Sequence, residues 1–363
     1  MKKCLLAILG MALMVVSCQK ETPNDLQQSA QEVEVDMSDF YLYTDDVSPF
    51  TSKNGTKYCA TMRVLNEKLR KNPGLEQRMY NIEKNSRKWM AAKKPDKAGG
   101  GNGNGNGGGE NPPPPPEDDG LGVINIPVVV HVIYNVNNPQ ENISDAQIAS
   151  QIQILNDDFN AQNSDVSGVP AEFADLVADS DFSFNLVQTI RKSSTKTSWG
   201  TNDAMKRSSS GGSDPVDPQN KLNIWVCNIG GGILGYAQFP GGSPDTDGVV
   251  VGPQFFGDTG YVQSPFDQGR TTTHEVGHWV NLRHIWGDGR CRQDDFVADT
   301  PTSDGPNYGC PSYPTVNCRS NDMTMNYMDY VDDGCMYMFS EGQKSRMRSI
   351  FASGGPRNSF LAL

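Results

Sequence analysis

The chain has 363 residues, a formal net charge of -12 at pH 7 and a sequence pI near 4.8. This length accommodates one large domain and a small additional module. The acidic balance excludes a surface that neutralises nucleic-acid phosphates, because such a surface needs an excess of lysine and arginine. The charge does not define a substrate.

The first eighteen residues have the pattern of an export signal. Two lysines precede an apolar run from Leu5 to Val16 that is too short to span a bilayer. The sequence Val-Val-Ser-Cys ending at Cys18 resembles the lipobox of bacterial lipoproteins, in which the cysteine is lipidated. An ordinary signal peptide cleaved near Ser17 is the alternative. Both interpretations predict export, and the lipobox predicts an outer-membrane or cell-surface lipoprotein that contacts the membrane through its lipid anchor only.

Residues 19–98 are predicted to be a polar tether followed by a small helical module. After Gly74, apolar side chains recur at the spacing of an amphipathic helix. These side chains are Leu75, Met79, Ile82 and Trp89. A module this small buries little core, so we expect it to dock on a larger domain. Residues 99–120 are rich in glycine, asparagine and proline and are predicted to be a linker.

Residues 121–363 have the pattern of one folded α/β domain. Val123 to Tyr134 is an apolar run typical of a strand, and Ser144 opens a helix with a capping box to Gln147. Further strands are predicted at 182–190, 222–226 and 249–251, and further helices near Arg270 and from Ser340, with a capping box to Gln343, to Gly354. The segment 287–337 lacks sustained periodicity and is expected to depend on disulfide bridges for its order.

Three of the four histidines of the chain lie within eleven residues. His274 and His278 are one helical turn apart in a His-Glu-Val-Gly-His sequence, so both imidazoles can bind one metal ion. Glu275 then lies where a carboxylate can deprotonate a zinc-bound water. His284 completes the three protein ligands that a catalytic zinc site needs, with a fourth position open. A closed structural zinc site would lack an obvious fourth ligand, and surface histidines would leave the spacing unexplained.

The sequence HEVGHWVNLRH resembles the extended metzincin motif H-E-x-x-H-x-x-G-x-x-H. The sequences HIWGD, DDFVADTP and NYMDYVDDGCMYMF are similar to those of pappalysin-type peptidases, especially their cytophagalysin-like branch. The resemblance covers roughly residues 123–351. It implies an α/β (α+β) metzincin-like zincin domain with a mixed twisted sheet, an active-site helix and an irregular, disulfide-bridged C-terminal subdomain, behind a helical pro-segment. Asn281 replaces the usual glycine, as also occurs in that branch, and asparagine tolerates the left-handed conformation of this bend.

The resemblance implies roles for further residues. Met328 would be the Met-turn methionine beneath the metal, and Tyr330 would approach zinc or stabilise the oxyanion. Glu275 would take a proton from the zinc-bound water, whose hydroxide attacks the peptide carbonyl, and return it to the leaving amine. Residues 230–240 are either an upper-rim edge strand that pairs with an extended protein or peptide substrate, or a glycine-rich turn.

Acidic loop residues indicate two further features. Asp332 and Asp333, just after the Met-turn, either line the pocket beyond the scissile bond and favour lysine or arginine there, or are simply solvated. After the histidines, a run of hard oxygen ligands suits calcium. Similar positions in pappalysin-type enzymes bind calcium, which implies Asp295 and Thr300 as ligands. The predicted cofactors are therefore one catalytic Zn²⁺ and a structural Ca²⁺.

The chain has eight cysteines, and four of them follow the histidine motif. Export favours their oxidation into two bridges, and all three connectivities are open from sequence alone. In the resembled family the first pairs with the third and the second with the fourth. The implied bridges are Cys291–Cys318 and Cys310–Cys335. Cys227 lies on a predicted strand and is expected to be a buried core residue.

Cys59 has two interpretations. Its thiolate would occupy the open zinc position and exclude water, as in the cysteine switch of related zymogens, or it is a half-buried free cysteine. In the first case, an activating protease that cuts the linker at residues 99–120 would activate the enzyme and release it from its lipid anchor.

The sequence therefore predicts a secreted or surface-anchored zinc-dependent endopeptidase. The predicted organisation is a signal peptide (1–18), a tether and pro-segment (19–98), a linker (99–120) and a catalytic domain (121–363). Two alternatives are a lipid-anchored binding or adhesion protein with structural zinc, and a zinc amidase acting on cell-wall peptides. Glu275 argues against the first alternative, because a structural zinc site does not need that carboxylate.

Overall fold

The structure, a computed structural model of the chain, describes residues 33–44, 58–93 and 118–362. The predicted signal peptide with Cys18 and most of the predicted linker lie outside the described residues. We call residues 34–44 and 58–93 the N-terminal module, and residues 118–362 the main domain. Both belong to one compact unit, Glu34–Leu363. None of the helices in the described part of the chain is both long enough and apolar enough to span a bilayer.

A six-stranded mixed sheet forms the centre of the molecule. Its strands are β1 (Tyr58–Cys59), β2 (Ile124–Asn135), β3 (Phe182–Ser194), β4 (Leu222–Val226), β5 (Ile233–Ala237) and β6 (Val249–Val251). They lie in the order β1-β5-β6-β4-β2-β3. β2, β3, β4 and β6 are parallel, whereas β5 is antiparallel to β6 and β1 is parallel to β5. The N-terminal module therefore supplies one edge strand, beside the reversed strand β5.

The strands of the main domain follow the apolar runs in the sequence. β2, β4 and β6 are almost entirely buried, as expected for parallel strands covered on both faces, and they confirm the predicted strands in these regions. β3 continues to Ser194, beyond the predicted end at residue 190, because it pairs with β2 along its whole length. The later side chains of β3 are exposed, and exposed residues give no apolar pattern.

Successive side chains of β4 point to opposite faces of the sheet, and both faces are packed. Ile224 and Val226 join the larger apolar cluster of the main domain. Trp225 and Cys227, which follows the strand directly, join a second cluster that contains Tyr236 of β5. Cys227 is therefore a buried core residue, as predicted.

Five α-helices lie within the described residues, two in the N-terminal module and three in the main domain. They are α1 (Thr61–Lys71), α2 (Leu75–Ala92), α3 (Asp145–Phe159), α4 (Arg270–Trp279) and α5 (Glu341–Ser349). α3 packs on β3 and α4, and α4 packs on β5 and β6. α2 packs on α5, and α1 packs on β5, so the N-terminal module docks on the main domain as expected. α2 confirms the predicted amphipathic helix, whereas α1 and β1 are not among the predicted elements.

The start of α3 differs from the prediction. Ser144 Oγ accepts a hydrogen bond from the backbone N–H of Gln147 at 3.1 Å. The side chain of Gln147 donates instead to the carbonyl oxygens of Pro253 and Phe256, at 2.9 and 2.8 Å. The predicted capping box is therefore half formed, because the tertiary contact competes for the glutamine amide.

α5 begins as predicted and ends early. Ser340 and Gln343 form the complete capping box. The helix stops at Ser349 rather than at the predicted Gly354, since the carbonyl of Ile350 accepts a hydrogen bond from the N–H of Arg357 at 2.9 Å and the chain turns back.

The segment 287–337 has little regular structure, as predicted. It contains four two-residue strands, β7 (Tyr308–Gly309), β8 (Val316–Asn317), β9 (Ser320–Asn321) and β10 (Tyr330–Val331). Disulfide bonds join Cys291 to Cys318 and Cys310 to Cys335, the same pairs that the family resemblance implies. Crosslinks restrict the unfolded chain of such a segment and thereby stabilise its folded form.

Candidate active site

The active-site helix α4 is buried along its whole length and carries two of the three histidines. The helix packs closely on Met328 at Gly277. A Cβ at this position would lie only 2.5 Å from the Met328 sulfur, so the close approach requires glycine. The helix ends after Trp279, and Asn281 has a φ of 80°. This left-handed conformation turns the chain back, so that His284 returns to the helix as the metzincin resemblance implies.

Three imidazoles meet at one point. The ring centroids of His274 and His278 are 4.8 Å apart, and those of His274 and His284 are 5.2 Å apart. The Nε2 atoms of His278 and His284 are separated by 3.2 Å. All three rings are at most 5 % exposed, so nothing about this cluster is typical of surface histidines.

The Nδ1 atom of each histidine has its own hydrogen-bond partner. His274 Nδ1 lies 2.7 Å from the carbonyl oxygen of Tyr327, and His278 Nδ1 lies 2.8 Å from that of Leu282. His284 Nδ1 contacts the carboxylate of the buried Asp288. An Nδ1–H that donates to these acceptors leaves the Nε2 lone pair free for a metal, which is the usual arrangement around protein-bound zinc.

The residues present fit a zinc ion. His274 Nε2 has no hydrogen-bond partner in the described part of the chain, although it is buried. The ligand atoms of Cys59 and the three histidines all lie within 4.8 Å of one another. Burial lowers the pKa of His274 to about 3, so its imidazole is neutral, as a metal ligand must be. Nitrogen and sulfur are the donors that zinc prefers.

Glu275 lies beside the histidine cluster and is fully buried. Its Oε1 has no hydrogen-bond partner among the described residues, and burial raises the pKa of Glu275 to about 7. The side chain passes close to β5, since a Cβ on Gly235 would lie 2.9 Å from Glu275 Cγ. Glycine at this position therefore keeps room for the carboxylate.

The N-terminal module reaches into the site through β1 and the start of α1. Cys59 Sγ lies 3.6 Å from His278 Nε2 and 3.4 Å from Glu275 Oε2. Thr61 Oγ1 donates to Glu275 Oε2 at 2.8 Å and accepts from the N–H of Ala237 at 2.8 Å. Burial, together with the charge of Glu275, raises the pKa of the Cys59 thiol.

β5 is a strand within the glycine-rich segment 230–240, so this segment is more than a turn. β1 pairs with it in parallel, with Cys59 opposite Gly235. The N–H of Ala60 also donates to the Gly235 carbonyl at 3.0 Å. The N-terminal module therefore occupies the edge of β5 that faces the cleft.

A cavity beside the histidines is lined by His274, Glu275, Tyr330 and Asp333, among others. The Tyr330 hydroxyl donates to the carbonyl of Cys59 at 3.4 Å, and its ring centroid lies 4.8 Å from that of His284. Asp333 is buried, and its Oδ2 accepts hydrogen bonds from the backbone N–H groups of Gln268 and Arg270 at 3.0 and 3.2 Å. This carboxylate thus holds the start of α4 as well as lining the cavity.

Asp295 and Thr300 are close together and buried. Both carboxylate oxygens of Asp295 accept from Thr300 Oγ1 at 2.9 Å, and Oδ1 also accepts from the N–H of Val297. Burial raises the pKa of Asp295. The neighbouring Asp299 points to α5 instead, where its oxygens accept from Ser340 Oγ and the N–H of Gly342, each at 2.7 Å.

Two residues of the site have no predicted role. Asp288 lies in the sequence HIWGD, four residues after His284, and an acidic residue so close to a histidine ligand was a usable signal. Thr61 gives no such signal, because its contact with Glu275 depends on how the N-terminal module docks.

This fold and this histidine–glutamate cluster define a metallopeptidase of the metzincin type. A family model described as "Peptidase_M43: Pregnancy-associated plasma protein-A" matches residues 213–352. Extracellular metalloprotease 1 of Coccidioides posadasii is 33% identical over 241 residues, which cover 63% of this chain and 77% of that protein. The chain therefore belongs to the pappalysin family of metallopeptidases, whose cofactor is zinc, and is a metalloendopeptidase.

Two solved structures from Tannerella forsythia are also similar. Mature mirolysin, in complex with a cleaved peptide, is 46% identical to this chain, with a TM-score of 0.64. The match covers 66% of this chain and 95% of the mirolysin chain. A promirolysin mutant is 39% identical, with a TM-score of 0.70, and the match covers 84% of this chain and 97% of the promirolysin chain. The precursor covers more of this chain than the mature form does, which identifies the N-terminal module as a pro-segment.

Proposed function

We propose that this protein is an exported zinc endopeptidase made as a latent precursor. The observation that supports this most strongly is the convergence of three buried imidazoles beside Glu275. His274, His278 and His284 would bind the zinc ion, each held in orientation by its Nδ1 partner. The curated relatives are named extracellular, which agrees with export.

The hydrolytic step uses Glu275 as the general base. Zinc held by the three imidazoles would supply an acidified water molecule and a polarised carbonyl at the scissile bond. Glu275 accepts a proton from the attacking water while the water oxygen bonds to the carbonyl carbon. As the C–N bond breaks, the Glu275 carboxyl donates this proton to the leaving nitrogen. No covalent bond forms between enzyme and substrate.

Two residues from the C-terminal part of the chain complete the machinery. The Tyr330 hydroxyl would donate a hydrogen bond to the developing oxyanion once the Cys59 carbonyl no longer accepts from it. Met328 would support the site from below, where Gly277 allows its sulfur to approach the helix. An extended substrate would pair with the edge of β5 that β1 now covers.

The N-terminal module would keep the precursor inactive in two ways. The thiolate of Cys59 would take the fourth position on zinc, and Thr61 would hold the carboxylate of Glu275 by a hydrogen bond. A protease that cuts the linker at residues 99–120 would then release the catalytic domain, residues 121–363, from residues 19–98. With Cys18 lipidated, the same cut would detach the enzyme from the cell surface.

Asp295 and Thr300 would hold a calcium ion that orders the loop after the third histidine. Their oxygens already lie 2.9 Å apart, both residues are buried, and hard oxygen donors suit calcium.

Replacing Glu275 with alanine tests the assigned base. The linker-cut E275A protein should bind one zinc per chain and keep its fold but lose about three orders of magnitude or more of its activity on casein and gelatin. Persistent hydrolysis of denatured casein by the E275A protein would show that Glu275 is not the general base. Hydrolysis by the unaltered enzyme of peptidoglycan fragments alone would reassign the enzyme to cell-wall amides.

A further inference from the structure

The N-terminal module covers a surface of the main domain that differs in chemistry from the zinc site. Two arginines flank one aromatic ring there. Arg283 immediately precedes the third histidine, Phe296 lies in the following loop, and Arg346 projects from α5. The guanidinium carbons of Arg283 and Arg346 lie 4.8 and 5.5 Å from the centre of the Phe296 ring. We call these three residues the arginine–phenylalanine surface.

The N-terminal module contacts this surface with a carboxylate, a carbonyl, two aromatic rings and one guanidinium group. The last is that of Arg87, whose carbon lies 5.1 Å from the centre of the Phe296 ring. Glu83 accepts hydrogen bonds from both terminal nitrogens of Arg346, at 3.1 and 2.6 Å. Arg283 donates to the backbone carbonyl of Tyr41 at 2.5 Å. The rings of Phe40 and Tyr41 pack on Phe296, with centroids 5.7 and 5.2 Å away.

The main domain alone leaves the two guanidinium groups poorly paired. Among the described residues, Glu83 is the one carboxylate that forms an ion pair with either of them. Within the described ranges, the guanidinium of Arg346 donates one further hydrogen bond, from Nε to the carbonyl oxygen of Asn281 at 2.9 Å. Arg283 is 4 % exposed, and its Nη1 has no hydrogen-bond partner within the described ranges. Departure of the N-terminal module would therefore leave two cations beside an uncovered aromatic ring, and such a surface attracts an anionic ligand.

The surface is continuous with the catalytic cleft. Phe239 follows β5, and its ring centroid lies 5.3 Å from that of His278. The same phenylalanine lines a small cavity together with Glu83, Arg283 and Arg346. A polypeptide that crosses the cleft beside β5 can therefore continue onto the arginine–phenylalanine surface.

We propose that, after the N-terminal module leaves, the arginine–phenylalanine surface binds a second segment of the polypeptide substrate, one with an aromatic side chain and a nearby carboxylate. In the intact chain, Glu83 supplies the carboxylate, and Phe40 and Tyr41 supply the rings. The inference rests on the proposed peptidase function, since the ligand is a substrate. It predicts that long acidic polypeptides are cleaved more efficiently than short peptides that reach the cleft alone.

The first experiment measures binding and does not depend on catalysis. The full chain with E275A is cut in the linker and separated from its N-terminal module; mature mirolysin shows that a relative's main domain exists in this form. The probe is a fluorescein-labelled peptide of residues 36–43, which contains Asp36, Asp39, Phe40 and Tyr41. In the intact chain Asp39 pairs with Arg87 of the N-terminal module. Arg87 leaves with that module, so the Asp39 carboxylate of the probe is available to Arg283 and Arg346. A second probe carries Asp36→Asn and Asp39→Asn. Fluorescence anisotropy should show the acidic probe binding about tenfold more tightly than the neutral one, as expected for a charge-assisted contact.

Variants of the surface then locate the contact. R346Q should remove the difference between the two probes, whereas R346K should retain most of it. R191Q is the matched control, because Arg191 is a partly exposed arginine of the main domain that pairs with Asp145. F296A should weaken the binding of both probes, and it serves as the second variant if R346Q fails to fold. Equal binding of the two probes to the unaltered surface, or an effect of R191Q as large as that of R346Q, would overturn the proposal.

The second experiment measures activity of the same cut protein with Glu275 intact. R346Q should raise KM for casein about fivefold or more and leave kcat/KM for a short fluorogenic peptide unchanged. The acidic probe should inhibit cleavage of casein but not of the short peptide. Equal losses on both substrates, or none on casein, would contradict the proposal. Absence of all peptidase activity in the unaltered protein would refute the proposed function. The binding experiment would still show whether the arginine–phenylalanine surface binds an acidic polypeptide.

Discussion

Asp288 shows how one acidic side chain outside the ligand set contributes to the zinc site. Its carboxylate contacts His284 Nδ1, and both residues are buried. An acceptor on Nδ1 fixes the tautomer of the imidazole and makes Nε2 a better ligand. We infer that Asp288 keeps His284, the histidine that is not on α4, in position for zinc.

Replacing Asp288 with asparagine should weaken zinc binding about ten- to a hundredfold, because the amide is a poorer acceptor. Competition with a chromophoric chelator measures this affinity. D258N is the control, since Asp258 is an exposed carboxylate of the same domain. Unchanged zinc affinity in D288N would show that the carboxylate does not support the ligand.

Cys59 and Cys227 are the two free cysteines of the described chain, and they provide a matched pair. Cys59 lies among the three histidines that we propose as zinc ligands, whereas Cys227 lies in an apolar cluster. C59S should raise the activity of the uncut full chain about tenfold or more, because the inactive docked state loses its bond to zinc. C227S should leave the uncut chain inactive. A latent C59S protein, assayed on casein without linker cleavage, would exclude the switch.

At the scale of single residues, the sequence predicts most of the site because its key groups are close together in the chain. His274, Glu275 and His278 lie on one helix, and His284 follows a bend that the sequence marks with Asn281. Thr61 could not be predicted, since its contact with Glu275 joins segments far apart in sequence.

At the scale of elements, β5 connects catalysis and latency. It is antiparallel to β6 and therefore reversed relative to the parallel strands of the main domain, and its outer edge pairs with β1 of the N-terminal module. β1 has two residues, and its conformation depends on β5, so no local pattern indicates it. α1 is different, because its buried apolar residues recur at helical spacing and were a usable signal that the sequence-based prediction missed. Met62, Leu65 and Leu69 pack with apolar residues of α2 in a small cluster.

Charged contacts reinforce the docking of the N-terminal module. Lys68 of α1 lies 2.9 Å from Asp203, and Glu83 of α2 forms the buried pair with Arg346. Burial alone raises the pKa of Glu83, but the charges and hydrogen bonds of Arg346 and Arg87 outweigh burial and lower it to about 2. A depressed pKa in the docked state means that this contribution is complete above the ordinary carboxyl pKa and is lost as pH falls towards 2.

E83Q should therefore weaken docking by roughly 3 kcal/mol near neutral pH, because Arg346 stays buried without its counter-charge. Gel filtration of the linker-cut protein at pH values between 7 and 3 measures how much of the N-terminal module is released. The unaltered protein should release more of the N-terminal module as pH falls, and E83Q should show a flatter dependence. E67Q is the control, since Glu67 forms an exposed pair with Lys71. Identical pH profiles for E83Q and the unaltered protein would contradict this role of Glu83.

At the scale of the whole molecule, the main domain and the N-terminal module form one compact unit, and the module reaches the histidine cluster through β1 and the start of α1. The sequence predicts the strands of the main domain, the active-site helix and the irregular segment, because apolar periodicity and motif spacing are local. The mixed sheet follows from the family resemblance. The sequence does not predict where the N-terminal module docks, because that depends on surfaces formed by the folded main domain. Latency is thus a property of the assembled chain, with Cys59 and Thr61 placed in the site by β1 and α1.

X-ray absorption at the zinc edge tests the central claim most directly. The purified full chain should contain one zinc with three nitrogen ligands at about 2.0 Å and one sulfur at about 2.3 Å. After linker cleavage and removal of the N-terminal module, the sulfur should be replaced by oxygen while the three nitrogens remain. A chain without zinc, or a zinc ion coordinated by fewer than three nitrogens in both forms, would contradict the account.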